Sequence, residues 1–482
     1  MAFRTTTAAL ALALALATAL PAAADNSLPD IGTAGVSAMS IEREARFGQA
    51  FSRFARANQP VVDDPVLNEY VTGLGLKLLS QADSVRFPFR FLLIRDDSIN
   101  ASAFLGGVVQ LHTGLFLNAA NESELASVMA HEITHVTQRH IARYLESQSR
   151  STPLTIAGLV GSVALAVVNP QAGMAALQTT LGLKMQSAIN YTRDNEFEAD
   201  RLGLRLLYNA GFDPNAMATF FQKLAEQYQF ASTPPQMLLT HPLPASRIAE
   251  ARSRAAEYPV RQYAPDLDFQ FAKARIMVRF QQSGTTELHN YFARAAGSGG
   301  DWQPDAARYG QALALLAINR NEEAEPVLAD LAGRHGSNTF VLDALTDLDN
   351  ARKRHDAAIA RLQQAAQRQP DNQVVMINLA DSLLQAGRHQ EAAELLDGYL
   401  RRHPENPLAW ELIAQAYRPL SDESAFRQAQ AEVAALKGRY EVAVDQMELA
   451  ANLSQDAMQR ARLGARLEQL RQQQKDWDAL RN

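Results

Sequence analysis

Two histidines and a glutamate define the chemistry this chain can attempt. His131-Glu132-Ile133-Thr134-His135 is an H-E-x-x-H match. Residues four apart on a helix share a face, so the two imidazoles stand one turn apart and aim at a common point. Zinc takes neutral imidazole nitrogen at about 2.0–2.1 Å, and two such rings fill two corners of its tetrahedron. Glu132 then lies beside the metal, placed to take a proton from an activated water. The motif requires a helix, and its flanks predict one. Asn121 can cap it, Glu124 completes a capping-box-like start, and Leu125, Val128, Met129 and Val136 recur at helical spacing.

A site with two histidines needs a third protein ligand. The chain has no cysteine, so that ligand must be His, Asp or Glu. A long helix expected over Leu183–Asn209 carries Glu196-Phe197-Glu198-Ala199-Asp200. Glu196 and Asp200 are again four apart and share a face. Glu196 is the candidate that completes a His₂Glu set. Asp200, one turn on, is placed to hydrogen-bond a ligand histidine and fix its orientation. The plain alternative is a solvated acidic face, and Glu198 is expected there. Downstream, Pro242 and Pro244 hold the loop after Thr240-His241 extended. His241 can donate to an oxyanion or occupy zinc's open position, unless it is only a satisfied loop histidine. Arg247 can stabilise developing negative charge. His112 and His140 are out of register with the 131/135 pair and are expected to be structural.

The elements that must hold these residues can be read around them. Helices are expected from Ser40 (Ile41, Phe47, Phe51 and Phe54 on one stripe) and over Asp64–Leu79. Phe87–Ile94 reads as a strand, Asn100–Phe104 as a loop, Gly106-Gly107 as a turn, and Val108–His112 as a second strand. A strand just before such a helix can be the edge that receives an extended peptide, or merely an interior strand. Residues 151–183 carry no charge, and the apolar run 153–168 is too short for a comfortable membrane span. It is expected to form a hydrophobic helical hairpin over the site, acting as lid, plug or membrane-touching surface, or else plain buried core.

The chain ends bound the rest. Arg4 is the only charge in the first 24 residues, Ala8–Leu20 is a short apolar run, and Ala22-Ala23-Ala24 precedes Asp25 as an A-x-A cleavage site. These features predict a signal peptide over 1–24 and a secreted mature chain, periplasmic in a Gram-negative source. The formal net charge of −6 gives no footprint for nucleic acid and no pull toward an anionic membrane. From about Asp266 the sequence repeats every 34 residues: Asn338, Asn372 and Asn406; Ala324, Ala358 and Ala392; Leu328, Leu362 and Leu396. That period, with Trp410 and Tyr417, is the tetratricopeptide signature. Stacked helix pairs make a concave surface suited to protein segments.

Together, H-E-x-x-H, the later E-x-x-A-D and the following H-P-x-x-x-x-R resemble the HtpX and CAAX-prenyl-protease family of gluzincins. The added signal peptide and repeats look like its periplasmic branch. The resemblance implies that His131, His135 and Glu196 hold one zinc ion and that Glu132 is the general base. It also implies that Asp200 supports a ligand, His241 caps the metal and Arg247 stands beside it. That branch acts on unfolded or stalled outer-membrane proteins and works beside the β-barrel assembly machinery. The expected fold is α+β and mainly α: a zincin-type metalloprotease domain with a small sheet over 25–262, then an all-α tetratricopeptide solenoid over 263–482. The expected activity is zinc-dependent endopeptidase, with chaperone activity. The rival is a repeat-based chaperone or adaptor whose zinc site is silenced, by His241 and the 151–183 segment.

Overall fold

Ser40 opens the first helix, α1 (Ile41–Asn58), by accepting from Arg43 N. Asp64 opens α2 (Pro65–Leu79), accepting from Val66 N and Leu67 N. Pro65 takes the first helical position, where a missing N–H is no loss. In the computed structural model, the described residues are 39–149, 185–229, 235–263, 266–281, 284–298 and 300–481. The expected signal peptide and the uncharged 151–183 stretch lie outside them. Among the described residues no helix is long and apolar enough to cross a membrane.

Three strands follow: β1 (Arg90–Ile94), β2 (Ala101–Phe104) and β3 (Val108–His112). Their order is β1-β3-β2, with β3 parallel to β1 and antiparallel to β2. Gly106 and Gly107, at φ 71° and 86°, turn β2 into β3 as expected. Two expectations change. Val108–Leu111 is the central strand, bonded on both sides, and offers no edge to a peptide. The stretch read as a loop before Gly106 holds β2, an edge strand. Its Ala-Ser-Ala-Phe sequence is short and has no β-branched residue, so nothing in it announces a strand. The outer side of β1 is covered, since Val62 N donates to Leu93 O and Arg95 N to Pro60 O, both at 2.8 Å. No described strand pairs with the outer side of β2.

Alternation sends the side chains of the sheet into two cores. Phe91, Leu93, Val109 and Leu111 join the large cluster with α2, while Leu92, Ile94 and Val108 face Phe51 and Ala55 of α1. The protease half is completed by α3 (Thr113–Asn118), α4 (Glu122–Thr137), α5 (His140–Ser149), α6 (Met185–Asn209), α7 (Asn215–Tyr228), α8 (Gln236–Thr240) and α9 (Ala245–Ala255). Ala142 and Leu145 seat α5 on the α1 side of the sheet. Helices α2, α6 and α7 pack on α4, and α9 packs on α6 and α7.

Helix α10 (Leu267–Arg279) leads into the solenoid. Its helices are α11 (Thr285–Ser298), α12 (Pro304–Ala317), α13 (Asn321–His335), α14 (Thr339–Ala351), α15 (His355–Arg368), α16 (Gln373–Gln385), α17 (His389–Leu400), α18 (Pro407–Tyr417), α19 (Glu423–Leu436), α20 (Tyr440–Leu453) and α21 (Ala457–Arg481). The 34-residue period has direct physical causes. Asn338, Asn372 and Asn406 each cap the first helix of a pair through the side chain. The periodic alanines and leucines sit fully buried on the second helices, α13, α15 and α17. Asn319, Lys353, Gly387 and Ser421, also 34 apart, take left-handed φ between 58° and 74° and turn first helix into second.

One apolar cluster runs unbroken from Val62 to Val374, through α10. A buried ionic hub sits inside it. Arg275 of α10 donates from Nε to Asp64 Oδ2 at 2.8 Å, and from Nη1 to Asp343 Oδ2 at 2.6 Å and to the Tyr309 hydroxyl at 3.2 Å. Asp64 therefore caps α2 and anchors the repeats with the same carboxylate. Removing one member of a buried ion network leaves the others uncompensated. Arg275→Met should lower the unfolding free energy by about 3–5 kcal/mol, read from denaturant titration of the full mature chain. A loss below about 1 kcal/mol would assign the docking to apolar contacts alone.

Candidate metal centre and catalytic site

Helix α4 starts as its sequence demands. Asn121 Oδ1 accepts from Glu124 N at 3.0 Å, and Glu124 Oε2 reaches back to Ala120 N at 2.7 Å. This is a capping box shifted by one residue. The helix then buries nearly every side chain it carries, including His131 and Glu132. Gly203 lets α6 approach its backbone. A Cβ there would stand 3.2 Å from His131 N and 3.3 Å from Ala130 C and O, tighter than ordinary contact. That approach brings Glu196 of α6 up to both imidazoles of α4.

Four groups converge. His131 Nε2 and His135 Nε2 are 3.0 Å apart. Glu196 Oε2 is 3.4 Å from His131 Nε2, and its Oε1 is 3.3 Å from His135 Nε2. His241 Nδ1 lies 3.0 Å from Glu196 Oε1 and 3.4 Å from His131 Nε2. A tetrahedral cation with ligands at about 2.0–2.1 Å keeps those ligands roughly 3.3 Å apart. The spacing of the donor atoms therefore fits a small tetrahedral cation, with three nitrogens and one carboxylate around it. Glu132 stands beside this cluster, fully buried. Among the described residues neither of its oxygens has a hydrogen-bond partner, and His241 Nε2 lies 3.5 Å from Oε1. A buried carboxylate with free oxygens beside such a cluster is what a general base requires.

Behind these four groups stand further partners. His131 Nδ1 faces Asp200 Oδ1 at 2.9 Å. Arg247 grips Asp200 through Nε at 2.6 Å and Nη2 at 2.8 Å. Its Nη1 reaches Glu196 Oε2 and Pro242 O, both at 2.8 Å. The guanidinium thus ties α9, the His241 loop and both α6 carboxylates together. Its donors are engaged with these carboxylates, so the geometry gives it orientation of the acids in place of the direct charge stabilisation expected from sequence.

Electrostatics separate the two motif histidines. Burial pushes His131 down, but hydrogen bonds that the ring donates to Asp200 and Glu196 outweigh it and hold the ring up at about 10. Burial wins at His135, which has only Glu196 in its favour and is held down at about 3. Burial also raises Glu196, yet His241, His131 and His135 more than reverse this and keep it well below the carboxylate range. The negative charges that hold a proton on His131 are those that hold a divalent cation in its place.

The structure thus draws His131, Glu132, His135, Glu196, Asp200, His241 and Arg247 into one network. His112 lies elsewhere, with Nδ1 2.9 Å from Ser98 Oγ. Two residues read differently from their sequence. His140 meets His135, Nδ1 to Nδ1 at 2.9 Å. Glu198 is not a free solvated acid: it faces His140 Nε2 at 3.3 Å and accepts from Arg143 Nη1 at 2.9 Å. Register on one continuous helix misplaces His140, because α4 ends at Thr137 and the chain turns before α5.

Arg247 compensates two buried acids, so Arg247→Leu should destabilise the protein by about 3–5 kcal/mol. A bound divalent cation supplies part of the missing positive charge. The loss, measured by denaturant unfolding, should therefore be larger after chelation than with saturating zinc. An equal loss in both conditions would detach Arg247 from the metal centre.

Comparison with known proteins agrees with this geometry. Residues 65–255 match the model of peptidase family M48, and residues 350–416 match a tetratricopeptide repeat model. The chain is 44% identical over 457 residues to the β-barrel assembly-enhancing protease of Escherichia coli K12, covering 94% of this chain and 93% of that one. It is 42% identical over 452 residues to the protein of that name from Yersinia pestis, covering 93% and 92%. The mitochondrial metalloendopeptidase OMA1 of Bos taurus is 30% identical over 160 residues, 32% of this chain and 30% of that one. The chain belongs to peptidase family M48, as a metalloprotease that carries tetratricopeptide repeats on its C-terminal side.

Proposed function

We propose that the protein is a periplasmic zinc endopeptidase that degrades unfolded or stalled outer-membrane proteins beside the β-barrel assembly machinery. The observation that carries the catalytic part is the convergence of His131, His135, Glu196 and His241 next to the buried carboxylate of Glu132, whose oxygens have no hydrogen-bond partner among the described residues. Zinc is favoured by the donor set, which is nitrogen-rich, tetrahedral in spacing and free of sulfur. The substrate class is supported by the names of relatives that match along nearly the whole chain. The location is supported by the signal-like N-terminus. The repeats suit recruitment of a protein chain or docking on a partner, and a chaperone role would use the same surface.

His131, His135 and Glu196 would hold the ion. A zinc ion bound there would supply Lewis acidity, for a substrate carbonyl and for a water. Glu132 would act as general base and acid, taking a proton from the attacking water and returning it to the departing amine. Asp200 keeps His131 in the tautomer that presents Nε2, and Arg247 keeps Asp200 and Glu196 in place. A substrate segment can add as a strand to the outer side of β2, the edge strand nearest α4. His241 lies with the three proposed ligands, where it would compete with a substrate, so the loop around it would act as a latch.

Purified mature chain should degrade an unfolded outer-membrane protein. Glu132→Gln should slow this by about 10²–10⁴-fold while still binding one zinc per chain. His241→Ala should raise the rate on the same substrate. Equal rates for wild type and Glu132→Gln would sink the enzyme reading, and a slower His241→Ala would sink the latch.

A further inference from the structure

Two residues outside the candidate ligand set stand behind His135: His140, and Glu198 at a variable position of the E-x-x-A-D motif. Helix α4 stops at Thr137, and Arg139 takes a left-handed φ of 53°. An L-residue with a side chain adopts that conformation only at a steric cost. Here Arg139 is buried and held there, with Nε 2.9 Å from Glu44 Oε2 and Nη2 2.6 Å from Met39 O. Strained backbone survives where the surroundings impose it, often beside a functional group. The result of this turn is specific. The His140 ring comes back against the His135 ring at 85° between planes, with the two Nδ1 atoms 2.9 Å apart. His140 is 3% exposed, and its other nitrogen meets Glu198.

Two facing Nδ1 atoms hold one proton between them. If His135 presents Nε2 to a metal, its Nδ1 carries hydrogen and His140 Nδ1 must accept it. The proton of His140 then sits on Nε2, directed at the Glu198 carboxylate, which Arg143 fixes from the next turn of α5. This chain parallels the direct Asp200–His131 pair: each motif histidine is backed by an α6 carboxylate, one directly and one through a second imidazole. We infer that His140 and Glu198 are positioning residues that lock the tautomer and ring orientation of His135 for metal binding. This rests on the metalloprotease reading above and extends it to residues outside the ligand set.

The test is the zinc affinity of the full mature chain, by competition with a chelating dye, supported by the visible spectrum of the cobalt-loaded protein. His140→Leu removes the acceptor while keeping bulk, and should weaken zinc about 10–100-fold, the usual range for such supports. His140→Asn places Oδ1 where Nδ1 was and should restore affinity to within a few-fold of wild type. Glu198→Gln should weaken binding several-fold in the wild-type background and have no further effect in His140→Asn, because the link is already cut. The cobalt bands should shift in His140→Leu and recover in His140→Asn. A histidine that only fills space would lower the melting temperature of chelated protein and leave zinc affinity unchanged, and that result overturns the inference. If His140→Leu does not fold, Glu198→Gln decides alone, and unchanged affinity there overturns it. A wild type that binds no zinc would overturn the metalloprotease reading together with this one.

Discussion

The closeness of α6 to α4 is the constraint on which the site depends. Glu196 has a short side chain and must touch two imidazoles on the neighbouring helix at 3.3–3.4 Å. Helix axes normally lie 8–10 Å apart according to the side chains between them. Gly203, with its α-carbon against the Ala130–His131 backbone, lets this pair approach more closely than a side chain there would comfortably allow. Once α6 is there, its acids fall into fixed roles by helical geometry. Glu196 and Asp200 share the face toward α4, and Glu198 is rotated toward α5.

Burial makes that arrangement demanding. Glu132, Glu196 and Asp200 are each at most 5% exposed, and isolated charges so placed would not stay charged. Arg247, the histidines and a divalent cation balance them. The Arg275 hub repeats the logic at the junction with the repeats, where one guanidinium answers Asp64 and Asp343. Such ion networks add little net stability over apolar packing, but they punish any other arrangement of the helices. Both hubs therefore act as geometric keys, one for the ligands and one for the docking of α10 and α14 onto α2.

Most of the clustered candidate site was legible because it obeys one rule, that residues four apart on a helix share a face. His131/His135 and Glu196/Asp200 both follow it, and the 34-residue period follows from caps and buried small residues that recur in the sequence itself. What escaped has no local signature. Val108–Leu111 is apolar in a way that suits either an edge or a centre, and only the pairing of Ala101–Phe104 decides between them. Helical register leaves His140 a structural residue, and that register fails at a left-handed arginine that no propensity would place there. Lys353 in the same conformation marks a repeat turn where glycine would be the natural reading, and only Gly387 signals it.

The continuity of the core changes how the two halves relate. A solenoid strung on a linker would recruit substrate without sensing the protease. Here α14 and α16 pack on α2, Gln373 Nε2 donates to Pro65 O at 3.4 Å, and α2 packs on α4. The Asp64 carboxylate that starts α2 is held by Arg275, which is also bonded to the repeats. Packed interiors are dense and transmit displacement instead of absorbing it. Through these contacts, a load on the first helices of the repeats is separated from the candidate metal ligands by one helix, α2.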